Sequence, residues 1–175
     1  MGWKKWLVIL IFLLSGCSSS NPEFKVYEGK PLSIAVVGEP PEVREENITL
    51  SELTFEDLNN LKNLDHEAIF ITEENLNEAS AGNYEETFLN SDIPFFFIEA
   101  WSHIPFTVKE SEMEPNWKWS PGKSYAVGIL TSAKDNSLNR WGYGLYNDEK
   151  TDETVEEVFS RIFTTIEELN HKKEL

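Results

Sequence analysis

Three short apolar runs set the frame of the chain. Residues 33–38 read Ser-Ile-Ala-Val-Val-Gly, residues 66–71 His-Glu-Ala-Ile-Phe-Ile, and residues 93–98 Ile-Pro-Phe-Phe-Phe-Ile. Continuous apolar runs of this length, without polar alternation, predict strands covered on both faces, as in a parallel sheet. Between the first two, Phe55, Leu58, Leu61 and Leu64 mark the inner side of an expected helix, with Thr54 placed to cap it. Between the second and third, Thr72 followed by Glu73 and Glu74 opens another, its acids near the positive end of the helix dipole. Its inward positions are Leu76, Ala79, Tyr84 and Phe88, and Gly82 weakens its middle. This alternation implies right-handed crossovers and three mutually parallel strands, the first of them central. The first crossover begins with a polar, proline-bearing loop over residues 39–47, after which Ile48-Thr49-Leu50 offers a short edge strand.

The second half has a different rhythm. Residues 101–123 are aromatic and irregular, with Pro105, Pro115 and Pro121 blocking long elements. Residues 125–130 and 141–146 predict a hairpin around a turn at 134–139. On its second strand Trp141, Tyr143 and Leu145 share one face. The clearest helix closes the chain: Val155, Val158, Phe159, Ile162, Phe163, Ile166 and Leu169 form one apolar stripe. The expected fold is α/β: a single three-layer sandwich, an incomplete flavodoxin-like or Rossmann-like, mostly parallel sheet with a C-terminal hairpin and closing helix. The domain is expected over residues 31–171.

Ahead of it lies a different kind of segment. Lys4 and Lys5 precede an unbroken apolar run from Trp6 to Leu14, about half the ~20 residues a membrane-spanning helix needs. Leu14-Ser15-Gly16-Cys17 follows, and Cys17 is the one cysteine of the chain. A charged region, an apolar region and a small-residue cleavage site make an export signal. The leucine, two small residues and cysteine resemble the lipobox of bacterial lipoproteins. The resemblance implies that residues 1–16 are a signal peptide and that Cys17 carries diacylglycerol on its sulfur as the mature N-terminus. It also implies a protein anchored to the cell membrane on the extracytoplasmic side. Residues 17–30, beginning with a serine-rich stretch, are expected to form the tether.

Charge narrows the partners. The 175 residues carry 31 acids against 15 lysines and arginines, a net charge of −16. The leader holds two lysines and no acid, so its removal takes the charge to −18. Such a surface repels phosphate backbones, which excludes a nucleic-acid partner, and it repels anionic headgroups, which leaves membrane attachment to the lipid. With Cys17 acylated, no thiol is left for a disulfide or a thiolate metal site.

In open parallel sheets, ligands bind outside the carboxyl ends of the strands. Those ends present Glu39, Glu73 with Glu74, and Glu99, followed by Trp101 and His103. Five of these, Glu39, Glu73, Glu99, Trp101 and His103, are the candidate ligand-binding residues. Oxygen clusters suit divalent cations, and paired carboxylates can share acid and base roles. Against that stands a chain more than a sixth acidic, in which glutamates at strand ends are expected anyway. Pro121-Gly122-Lys123-Ser124 is not a P-loop: Trp117 occupies the position of the first glycine, and a strand follows rather than a helix. No serine elbow, glycine-rich cofactor fingerprint or well-placed nucleophile is present, so no cofactor and no catalytic residue is expected. Trp101, Phe106, Trp117 and Trp119 offer a stacking platform or, as expected here, cover for the core edge. The reading is a lipid-anchored, non-catalytic domain that binds a ligand or partner. The alternatives are a metal-assisted extracytoplasmic hydrolase using Glu39, Glu73, Glu99 and His103, and a subunit of a larger envelope complex.

Overall fold

The computed structural model describes residues 23–81, 83–108 and 117–173; the leader, Cys17 and Gly82 lie outside them. Six strands form one sheet: β1 (Leu32–Val37), β2 (Ile48–Leu53), β3 (Ala68–Ile71), β4 (Phe95–Ile98), β5 (Ser124–Thr131) and β6 (Leu138–Gly144). Their order is β2-β1-β3-β4-β5-β6, parallel through the first four and antiparallel at β4–β5 and β5–β6. The three runs predicted to be parallel are so, but β3 lies between the other two. β1 is displaced outward because β2 pairs along its whole length, from Leu32↔Ile48 to Val37↔Leu53.

Every side chain of β3 and β4 is buried, as a sheet covered on both faces requires. One face carries Ile34, Val36, Phe70, Phe96 and Ala126 beneath α4 (Asp152–Lys173), whose Val158, Phe159, Ile162, Phe163 and Ile166 are buried against them. Phe70 stacks on both Phe159 and Phe163. Trp141 packs against the same core, in which Tyr143 and Leu145 are buried, so the three share one face as expected and that face is the one turned to α4. The other face carries Ala35, Val37, Ile69, Phe95, Phe97 and Ile129 beneath short elements: α1 (Leu76–Ala79), α2 (Glu85–Leu89) and α3 (Ile104–Thr107).

The two expected crossover helices are shorter than predicted, for separate reasons. Residues Asp57–Asn63 form a 3-10 helix kinked at Asn60. Phe55, Leu58, Leu61 and Leu64 recur every third residue, which is the period of a 3-10 turn rather than of an α-helix. The cap position falls to Glu56 rather than the expected Thr54, and it makes no side-chain cap; Thr54 braces the turn instead, its N–H and hydroxyl donating to Asp57 Oδ2 at 2.9 and 2.6 Å. The second helix is split into α1 and α2, with Leu76, Ala79 and Phe88 buried as expected.

The tether is also shorter than expected, since residues 23–30 are part of the fold. Tyr27 is buried against Phe163, and its hydroxyl donates to the Lys30 carbonyl at 2.8 Å. Lys30 N–H donates to Glu167 on α4, and Asn47 donates to the Gly29 carbonyl. This strap runs beside α4. The loop after β1 reaches the same face, where Glu45 is buried and accepts from the Ser160 hydroxyl and the Tyr27 N–H. The domain therefore starts before residue 31, and its last helix runs to Lys173.

Candidate functional site

The direction of the connections decides where a crevice opens. From β1 the chain passes over the α4 face to β2; from β3 it passes over the opposite face to β4. Neighbouring strands whose chains leave toward opposite faces open a gap at their carboxyl ends. A cleft of about 400 Å³ lies at that end on the α4 side. Glu39, Pro40, Pro41 and Glu42 line it from β1, Thr72, Glu73 and Glu74 from β3, and Ile98 with Glu99 from β4. Tyr125 comes from β5, and Asp152, Val155, Glu156 and Phe159 come from α4.

The β1–β3 side is held by a compact latch. Gly38 turns the chain with φ +113°, and Thr72 N–H donates to the Val37 carbonyl at 3.1 Å. Glu74 Oε1 accepts from the Thr72 hydroxyl at 2.6 Å and from the Glu39 N–H at 2.9 Å. Partial burial disfavours charge on Glu74. The Thr72 hydroxyl and the backbone N–H groups of Glu39 and Glu74 outweigh it and hold the carboxyl below the usual range.

Across the cleft, Glu99 adopts φ +65°, a conformation uncommon for a residue with a side chain. Trp119 N–H donates to its carbonyl at 3.0 Å. Its carboxylate grips the Lys150 ammonium through both oxygens, at 2.6 and 2.7 Å. The same ammonium stands 5.6 Å from the centre of the Tyr125 ring, and the Tyr125 hydroxyl donates to Glu99 at 3.3 Å. Burial, then the Glu99 charge, pushes the Tyr125 phenol up, so it stays a donor. At the rim, Glu73 meets Lys118 at 3.3 Å and Glu156 meets Arg44 at 3.9 Å.

Three of the five candidate ligand-binding residues, Glu39, Glu73 and Glu99, line one cleft. Trp101 and His103 do not. The left-handed turn at Glu99 redirects the chain, and Trp101 lies under Lys123, 4.1 Å from its ring centre. His103 precedes α3, whose Phe106 belongs to the core opposite α4, and its ring meets Arg140 at 3.2 Å. Burial, then the Arg140 charge, lowers its pKa and keeps it neutral. Phe106 and Trp117 are buried, so that part of the aromatic segment is core cover, as expected.

Sequence reasoning left out Glu42, Tyr125, Lys150, Asp152 and Glu156. Asp152 and Glu156 sit one turn apart at the start of the apolar stripe, which was the available signal for them. Tyr125 and Lys150 carry no local signal; the pairing of β5 with β4 brings the first to Glu99 and the loop entering α4 brings the second. Among the described residues, no group of three histidine, aspartate or glutamate side chains is gathered as a metal site. Nor is any described helix long and apolar enough to cross a membrane. No protein-family model, curated protein or solved structure matches the chain.

Proposed function

We propose that this chain is a bacterial lipoprotein, anchored through Cys17 on the extracytoplasmic side of the cell membrane. In this reading its domain binds a cationic group in the cleft at the carboxyl end of the sheet without transforming it. The parallel order β2-β1-β3-β4 supports a flavodoxin-like arrangement, in which that end is the binding end. One observation carries the ligand chemistry: two residues that line the cleft, Glu99 and Tyr125, already hold an ammonium, that of Lys150, against a carboxylate and a ring. Carboxylates plus an aromatic face recognise alkylammonium groups through charge and ring quadrupole together. Glu39, Glu42, Asp152 and Glu156 extend that field beyond the Lys150 position.

Tetralysine serves as the probe. Calorimetric titration should show saturable, one-site binding that weakens roughly tenfold or more in Glu39→Gln and Glu99→Gln. Uptake that never saturates and simply follows ionic strength, or binding indifferent to both substitutions, would overturn the cleft assignment. The same titration with Mg²⁺, Ca²⁺, Mn²⁺ and Zn²⁺ addresses the hydrolase reading; saturable ion binding abolished by Glu99→Gln would favour it instead. The anchor has its own test. Cys17→Ser should release the protein from membranes or stall it as a precursor, and full membrane retention with a cleaved leader would refute acylation.

A further inference from the structure

The strap fixes which end of the domain lies next to its anchor. It enters the fold beside Tyr146, where the Phe24 and Tyr146 rings meet edge to face at 5.4 Å. It then follows α4 downward: Arg44, bound to Ser160, donates to the Lys25 carbonyl, Tyr27 meets Phe163, and Lys30 meets Glu167. Tyr146 follows β6, whose last residue pairs with Ser124 at the start of β5. Ser124 and Ala126 lie at the carboxyl end of β4, so strap entry and acidic cleft share one end of the sheet. The β5–β6 turn around Asp135 lies at the other end, eight strand residues or about 26 Å away.

Six residue steps separate Cys17 from Glu23. Fully extended, they span at most about 22 Å. The same end also carries apolar side chains in solvent. Tyr146 is 45% and Val26 44% exposed, two of the three large hydrophobics most exposed among the described residues. Partly exposed Phe24 lies against Tyr146, two residues before Val26.

We infer that the domain stands on the bilayer with the cleft end facing the lipid and with Tyr146, Phe24 and Val26 in the headgroup interface. The inference rests on acylation of Cys17. Tyr146, an apolar ring with a polar tip, favours that depth, Phe24 and Val26 remove apolar surface from water there, and a short tether confines them near it. The neighbouring carboxylates stay in the water layer, because removing their charge from water is costly, and a zwitterionic surface does not repel them. A ligand of the cleft is therefore met within tether reach of the membrane surface, not at the outer end of the domain.

The test attaches the mature chain through the Cys17 thiol to a maleimide-bearing lipid in phosphatidylcholine nanodiscs containing a gadolinium-chelating lipid. Amide signals of Val26, Glu42 and Tyr146 should lose several times more intensity than those of Asp135 and Ser137. Equal losses at both ends, or greater loss at Asp135, would overturn the orientation. A Val26→Ser, Tyr146→Ser variant should lose at least half of that difference; an unchanged pattern would overturn the interfacial contact. The coupling is chemical, so the measurement reads orientation whatever the cell does to Cys17. The Cys17→Ser release experiment reads acylation separately.

Discussion

Gly38 is the point where sequence, backbone and cleft depend on one missing methyl group. Its φ of +113° is strained for any residue with a side chain. An added Cβ would collide with Thr72 Oγ1 and lie 2.5 Å from both Asn75 Nδ2 and Glu74 Oε1. Gly38→Ala therefore costs twice. The backbone contribution is about 1–3 kcal/mol for a side chain held at positive φ. Displacing the buried Thr72 hydroxyl breaks its contacts to the Val37 carbonyl and Glu74, a further ~1–3 kcal/mol. Gly122 supplies the control: it also has positive φ, +83°, but a Cβ there meets nothing within 4 Å. Gly122→Ala should show only the backbone share, roughly 1 kcal/mol. Urea unfolding should show Gly38→Ala costing about 1–5 kcal/mol more than Gly122→Ala, of which ~1–3 kcal/mol belongs to the latch and the rest to the tighter backbone. Gly38→Ala should also cost less in a Thr72→Ala background than alone, because the clash has lost its partner. Equal losses at the two glycines, or strict additivity with Thr72→Ala, would refute the latch.

Ile162, on the inner face of α4, is fully buried, so Ile162→Asp should cost several kcal/mol, roughly half a typical domain's stability or more; a near-native thermal melt would mean the stripe faces elsewhere. Lys150→Met removes a partly exposed ion pair, so it should lower stability by no more than about 1 kcal/mol while tightening tetralysine binding, because the internal ammonium no longer competes; weaker binding would refute the competition. Glu74 is held below the ordinary value of 4.5, so its latch contribution is complete above that pH and is lost as pH falls through its lowered value. Glu74→Gln should accordingly lose less stability than wild type between about pH 5 and pH 3, and parallel acid limbs would show that the latch does not titrate.

The apolar runs carried the sheet because burial on both faces leaves no freedom in composition. Phe95, Phe96 and Phe97 are all fully buried, and only a strand between two layers accommodates that. The three-residue spacing of Phe55, Leu58 and Leu61 was equally visible, but at short length it differs from an amphipathic α-helix by less than one residue per turn. The strap was harder to read. Phe24, Val26 and Tyr27 are apolar, yet they follow a serine-rich stretch and lack the length of a predicted element. What docks them is distant in sequence, on α4 and the loop after β1.

The cleft shows why charge alone was a poor guide to it. Glutamates at strand ends are common in so acidic a chain, and nothing local separates Glu39 from its neighbours. Trp101 and His103 stand close to Glu99 in sequence, which favoured grouping them with it. A glutamate at φ +65° gives no sequence signal of the turn that sends them away, as a glycine would have done. What raises the cleft above a solvated acidic surface is a cation in place. Glu99 spends both oxygens on Lys150, and Tyr125 supplies a ring and a hydroxyl beside it. Those groups are brought together by the antiparallel addition of β5 to β4 and by the loop entering α4, both long-range choices of the fold. The strand ends could be read locally; the chemistry between them depends on topology, and the Lys150 ammonium is the part of it that the tetralysine competition measures.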